Sequence, residues 1–264
     1  MSGAARNERR RRQEDAARKA AARQGAGRKG APAGPPAADP PLKNKRVLVA
    51  AITAAVLVAA FAAVYVFLDR NSATPTPPAA YPVAVDGVVV TAGSPTAPVT
   101  LDLYEDYLCP YCERLENRSG GDIGTALNEG KVKVNYHALN ILDNRTTPPG
   151  YSTLSANAAL CAVPAGIWPA FHERLFVEQP AEGGAGLTAA QLTQIGTELG
   201  AGQDFGACVE ANAQAPAISA ATQAAAADPG LQTDGQFGTP TVALGGRKID
   251  VSASDWLEQV IAGG

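Results

Sequence analysis

The chain is poor in the side chains that most often build metal centres and acid–base pairs. It has two histidines and four cysteines among 264 residues. A zinc site would need a spaced histidine pair or a second C-x-x-C, and neither exists, so no metal is expected. His172 falls on an apolar helical face and reads as a packed or helix-end residue rather than a catalytic base. His137, beside a strand end, is no better supported as a base. Positive charge is also scarce after the first quarter. From Asn71 onward there are 8 Lys or Arg against 20 Asp or Glu, a net −12. A domain of that charge is a poor candidate for binding nucleic acid. No internal repeat is evident.

What the later chain lacks in cations, the first 46 residues hold: 13 Lys or Arg against four acids, a net +9. Small residues, charges and the Pro/Gly/Ala stretch from Gly30 to Pro41 leave nothing to bury, so a disordered basic tail is expected. A nucleic-acid-binding arm at Arg9–Arg12 is disfavoured because no aromatics interleave the charges. Val47–Leu68 is then an unbroken run of 22 uncharged residues, long enough to cross a hydrocarbon core of about 30 Å. Positive charge on its N-terminal side predicts that this side stays in the cytoplasm and everything after Asp69 is exported. A cleaved signal is the alternative; its apolar region is usually about 7–15 residues, so an uncleaved anchor in the cell membrane is preferred. Residues 69–82, with Pro75, Pro77, Pro78 and Pro82, suit a semi-extended tether. A single folded domain is expected over residues 83–264.

All four cysteines lie beyond that apolar run, where disulfides persist if the segment is exported. Two of them stand three apart in Leu108-Cys109-Pro110-Tyr111-Cys112, between an apolar-rich run and a helix-forming segment. The pattern predicts strand, turn and helix, with Cys109 at the helix N-terminus. There, exposed N–H groups and the helix dipole stabilise a thiolate and can bring a thiol from about 8.5 to roughly 3.5–7.5. Pro110 suits the first helical turn, where a missing N–H is no loss. Cys112, one turn on, is near enough to close a disulfide. The even count leaves Cys161 and Cys208 as a candidate structural bridge, worth roughly 2–4 kcal/mol by chain entropy. Two buried free thiols are the alternative, and four cysteines allow three pairings.

Periodicity predicts strands at Val83–Thr91, Val99–Tyr104 and Lys131–Ala138. The helix opened by Cys109 should reach Asn128, with Gly120, Gly121 and Gly124 weakening its middle. Asp143–Gly150 reads as a loop. Helices follow at Ser155–Ala162, Ile167–Phe176 and after Thr188 as a cap. Asp204–Ala226 should hold one or two more, broken at Pro216. A glycine-entered strand at Phe237–Leu244 turns at Gly245-Gly246 and returns over Lys248–Val251. A final amphipathic helix is capped by Ser252 or Ser254.

This order of elements, with Asp106-Tyr107-Leu108-Cys109-Pro110-Tyr111-Cys112, Gly238-Thr239-Pro240-Thr241 and Trp168-Pro169-Ala170-Phe171-His172, resembles the DsbA-like thiol-disulfide oxidoreductases over about Tyr81–Gly264. The resemblance implies an α/β, thioredoxin-like fold with a helical subdomain inserted at about 151–230. It implies catalytic Cys109 and Cys112, with Pro110 and Tyr111 shaping the pair. Pro240 is implied to be cis against the active disulfide, and Thr239 to offer backbone groups to substrate. It also implies a membrane reoxidant of the DsbB or vitamin K epoxide reductase-like kind, and no cofactor beyond the dithiol. One departure stands out. Such proteins commonly bury an acid six residues before the first cysteine, and here that position is Leu103. Asp102, Glu105 and Asp106 lie nearby, and the acceptor of the Cys112 proton is left open.

The expected function is oxidation of cysteine pairs in exported proteins by an extracytoplasmic, membrane-anchored enzyme. A reductase or isomerase, or a thioredoxin-like binding module without catalysis, are the alternatives.

Overall fold

The computed structural model describes residues 79–263. The basic segment 1–46, the apolar run Val47–Leu68 and the tether up to residue 78 lie outside the described residues. Among the described residues, no helix is long and apolar enough to cross a membrane.

The strand expected at Val83–Thr91 is instead a hairpin of β1 (Val83–Asp86) and β2 (Val89–Gly93). Asp86-Gly87 is the signal for the turn: Gly87 has φ +56°, which a side chain would disfavour. Next come β3 (Val99–Glu105), α1 (Pro110–Asn128) and β4 (Val132–Ala138), with β3 and β4 parallel. A parallel pair needs a crossover, and α1 supplies it.

Both strands alternate strictly. Val99, Leu101, Leu103 and Glu105 of β3, and Val132, Val134, Tyr136 and Ala138 of β4, are buried; the residues between them are half-buried. The buried face of α1 carries Cys112, Leu115, Ser119, Ile123 and Leu127, a 3.6-residue stripe that belongs to the same core as those strands. The glycines expected to weaken α1 lie inside it, and Gly120, Gly121 and Gly124 are all buried.

Between β4 and the next strand lies the helical insertion: α2 (Tyr151–Ala162), α3 (Trp168–Val177), α4 (Ala189–Glu198), α5 (Gln203–Ala211) and α6 (Ala215–Ala227). Short 3₁₀ turns stand on either side of this set, at Asp143–Arg145 and Pro229–Leu231. Nearly every residue of α2 is buried, so it is the axis of this layer. Thr188 caps α4 through a reciprocal box with Gln191. The break between α5 and α6 comes at Asn212, in a left-handed conformation at φ 45°, rather than at Pro216, which lies in the first turn of α6. Asn157, buried on α2, ties both together: its Nδ2 donates to the Cys208 carbonyl at 3.3 Å and its Oδ1 accepts the Gln214 N–H at 3.2 Å.

The chain returns to the sheet as β5 (Thr241–Leu244) and β6 (Arg247–Lys248), the latter shorter than expected. α7 (Trp256–Gly263) closes the fold, and its Trp256 indole donates to Ser119 on α1 at 3.1 Å. The six strands run in the order β1-β2-β4-β3-β5-β6. A smaller apolar cluster of Leu139, Ala225, Leu231 and Ala243, with Tyr104 and Phe237 against it, joins α6 to the sheet.

Candidate active site

β3 delivers the chain to the site. It leads into residues 106–109, and the antiparallel register of β5, with Val242 opposite Leu103 and Thr241 opposite Tyr104, sets Pro240 and Thr239 beside the end of β3. Cys109, Pro110, Tyr111, Cys112, Thr239 and Pro240 thus converge, although the last two stand some 130 residues beyond the cysteines. The Thr239-Pro240 peptide is cis. Cys109 Sγ donates to the Thr239 carbonyl at 3.3 Å.

Cys109 is the N-cap of α1 and Pro110 its first residue. The carbonyl of Cys109 accepts the Cys112 N–H at 3.0 Å, starting the helical ladder directly under the sulfur. The two thiols are free, and their environments split them. Cys109 is lowered from 9.0 to about 6, chiefly because the Cys112 thiol donates to its sulfur. Burial opposes this, and the Thr239 side chain with the N–H groups of Cys112 and Tyr111 adds to it. Cys112, 1% exposed, is pushed well above its ordinary value by burial first, then by its bond to Cys109 and the charges of Cys109 and Glu105. Above about pH 6 Cys109 is the anion, its bond to the Thr239 carbonyl belonging to the protonated thiol, while Cys112 keeps its proton. Tyr111 beside them is 63% exposed.

The loop before Cys109 is held from two sides. Asp106, fully buried, accepts the N–H of Leu108 and of Leu142, each at 2.9 Å. Burial raises its carboxyl to about 6 in spite of those bonds. From the insertion, Gln179 Nε2 donates to the carbonyls of Tyr107 and Cys109 at 3.0 and 3.2 Å. Gln179 has no sequence signal: a polar residue just past a helix end reads as solvent-facing.

The position at Leu103 is resolved by strand phase. The alternation that turns Leu103 toward α1 turns Glu105 the same way two residues on, while Asp102 faces the opposite side, where it pairs with Asn135 and His137. A buried acid is therefore present, at Glu105. It meets His172 Nε2 at 2.7 Å. His172 is thus packed as expected, but its surroundings are polar as well as apolar: Glu105, with Glu116 nearby, inside a ring of Tyr107, Tyr136, Trp168 and Phe176. Burial alone would lower its pKa; the Glu105 carboxyl overcomes this and holds it at about 9. Burial raises Glu116 to about 7, opposed by His172. Glu105, Glu116 and His172 are the set among the described residues that could hold a metal ion, with ligand atoms within 4.8 Å of one another.

Cys161 and Cys208 stand apart from this site and form a disulfide that ties α2 to α5 across 47 residues.

A thioredoxin fold with a helical insertion, a cysteine pair at a helix start and a cis-proline facing it defines a DsbA-like member of the thioredoxin superfamily. The chain belongs to the thioredoxin family: the family model Thioredoxin_4, described as thioredoxin, matches residues 86–262. MdbA, a thiol-disulfide oxidoreductase from Corynebacterium matruchotii, is 26% identical, with a TM-score of 0.59 over 72% of this chain and 95% of that one. Reduced DsbA from Mycobacterium tuberculosis shares the fold, at 23% identity and TM-score 0.59 over 67% of this chain and 92% of that one. The chain is also 31% identical over 182 residues to serine/threonine-protein kinase PknE of Mycobacterium tuberculosis; this is 67% of the chain but 31% of that protein. The chain spans about a third of the length of this curated relative.

Proposed function

We propose that the protein oxidises cysteine pairs in exported proteins, as an extracytoplasmic thiol-disulfide oxidoreductase tethered to the cell membrane by Val47–Leu68. The observation that carries the exchange chemistry is the placing of Cys109 at the start of α1 beside the cis Thr239-Pro240 peptide, with Cys112 buried one turn on, an arrangement that lowers the first thiol to about 6 and raises the second. A substrate thiolate attacks Sγ of Cys109 in the Cys109–Cys112 disulfide, and Cys112 leaves as thiolate, then takes a proton. A second substrate thiolate attacks the substrate sulfur of the mixed disulfide. Cys109 departs as the stabilised anion, leaving the substrate oxidised by two electrons and the pair reduced. Because the anion of the reduced form is stabilised, the oxidised form is the better oxidant.

Return of the pair to the disulfide calls for a membrane oxidant of the DsbB or vitamin K epoxide reductase-like kind. Thr239, whose carbonyl already reaches Cys109, would present its backbone to the substrate strand. No cofactor beyond the dithiol is called for. Export is supported by the charge asymmetry around Val47–Leu68 and by the placing of every cysteine after it.

Equilibration of the Cys109–Cys112 pair with glutathione tests the direction. An oxidising potential is expected, and a strongly reducing one would make the protein a reductase or isomerase. Membrane fractionation with protease protection tests the tether; a mature protein free of membrane, beginning beyond Leu68, would remove it.

A further inference from the structure

We propose that the groove beginning at Tyr111 and Pro240 binds an acidic polypeptide segment flanking the substrate's reactive cysteine. This rests on the exchange activity proposed above. The groove encloses about 1030 Å³, and Arg114 and Arg118 of α1 and Arg247 and Lys248 of β6 line it. The chain from Asn71 onward has only 8 Lys or Arg. Half of them line this one groove, where Asp250 is the single acid. The Asp250 carboxylate is engaged locally, accepting the Ser252 N–H at 2.8 Å.

Of the four cations outside the groove, Lys131 lies against Glu129, Arg145 against Glu182 and Arg174 against Glu178 and Glu198, while Lys133, among the described residues, makes no ion pair. Among the described residues, none of the four groove cations makes an ion pair. Arg118 donates to the Val251 carbonyl at 2.6 Å, and the Arg114 guanidinium stands 4.6 Å over the Tyr111 ring. All four are exposed. In a domain with 20 acids from Asn71 onward, most of the surface repels an anionic partner, and this groove is where one is accepted.

Position identifies the partner as a polypeptide attached to the reacting sulfur. Tyr111 and Pro240 are next in chain to Cys112 and Thr239, and the Thr239 carbonyl lies 3.3 Å from Cys109 Sγ, so the groove begins beside the reacting sulfur. A substrate cysteine joined to that sulfur places the next few residues of its own chain along the cations. Leu115, Val242 and Ile249 supply apolar lining between them.

The test uses the oxidised full-length chain and three dithiol peptides that differ only beside their cysteine pair, with Asp/Glu, Asn/Gln or Lys/Arg. In each reaction the peptide's two thiols become a disulfide and the Cys109–Cys112 disulfide becomes two thiols. Rates are divided by each peptide's rate with hydroxyethyl disulfide, which removes differences in thiol reactivity. The acidic peptide is expected to react about 10-fold faster than the neutral one at low ionic strength, the difference vanishing near ~1 M salt. The double variant Arg247→Glu, Lys248→Glu should invert the order, so that the basic peptide gains on the acidic one, which a folding defect cannot produce. Equal rates for the three peptides would overturn the inference and leave the oxidoreductase reading standing. Failure to oxidise any peptide, or dithiothreitol, would overturn both. Equal peptide rates with binding to phosphatidylglycerol vesicles that the double variant loses would make the groove a lipid-facing surface, and the inference would fail.

Discussion

His172 Nε2 and Glu105 Oε1 lie 2.7 Å apart, 67 residues distant in sequence and both almost wholly buried. The pair joins the end of β3 to α3, and the Glu105 charge is felt at Cys112. The Glu105 carboxyl holds His172 at about 9, above the ordinary 6.5, against the opposing effect of burial. The stability it contributes is therefore full below about 6.5 and lost as pH rises through about 9. Replacing His172 by Leu leaves a buried carboxyl without its counter-charge, at a cost of about 3–5 kcal/mol. Urea unfolding at pH 6 should show that loss, and the gap to the natural protein should narrow toward pH 10. A gap constant across this range would mean that packing of the ring, and not its charge, is what His172 supplies.

Cys109 gives the second pH dependence, of opposite sign. Lowered from 9.0 to about 6, its thiolate contributes stability that is full above about 9 and lost as pH falls through about 6. Only the reduced protein has this contribution, so the reduced form should gain stability relative to the disulfide form as pH rises between those values. At pH 7 the thiol is about 90% ionised, against about 1% at its ordinary value. Iodoacetamide should modify Cys109 with a midpoint near 6 and leave Cys112 unmodified in the folded state. Since the Cys112 thiol is the largest cause of the lowering, Cys112→Ala should move the midpoint up. A midpoint unchanged in that variant would assign the effect to the helix start alone.

The insertion depends on a covalent tie as well as on packing. Cys161 and Cys208 hold the buried α2 to α5 across 47 residues. The variant Cys161→Ala, Cys208→Ala should lose about 2–4 kcal/mol, with Tm falling by roughly 5–15 °C. Both cysteines are remote from Cys109, so the rate of dithiothreitol oxidation below the new Tm should change less than 2-fold. Calorimetry and a single stopped-flow series decide both points.

What could be read in advance follows from how local each signal is. Cys109, Pro110 and Cys112 are adjacent in sequence, and α1 forms around them from residues within one turn. The Gly238–Thr241 segment was legible as a glycine-entered strand containing proline, and its place opposite Cys109 came from resemblance. The hairpin at Asp86-Gly87 is not legible because Val83–Thr91 is apolar on both sides of the turn, so two strands read as one run. Proline disfavours a helix interior and so points to a break at Pro216, yet proline is equally at home in a first turn, and Asn212 makes the break. The buried acid was hidden by phase. Glu105 and Leu103 share a face only if β3 runs unbroken through Glu105, and periodicity ends that strand one residue early, at Tyr104. The partners of Glu105 and of the cysteine loop come from the insertion, where no spacing rule reaches.

Gln179 is the clearest case of such a partner, and it couples the insertion to the chemistry. Its side-chain amide follows α3 and donates to the carbonyls of both Tyr107 and Cys109, on either side of Leu108. The Cys109 carbonyl also takes the N–H groups of Cys112 and Glu113, so fixing it fixes the angle at which α1 begins. Gln179→Leu keeps the size of the side chain and removes both donors. The expected cost is about 1–2 kcal/mol for two half-buried bonds. Hydrogen exchange should locate the change: the amides of Leu108 and Cys109 should exchange faster, while those of β3 and β4 keep their protection. Oxidation of dithiothreitol should slow by roughly 3–10-fold as the sulfur loses its fixed place over the helix start. Gln179→Glu separates position from donation. A carboxylate facing two carbonyls cannot donate, so it should behave as Leu does or worse, and full activity in that variant would show that the insertion holds the loop by packing alone.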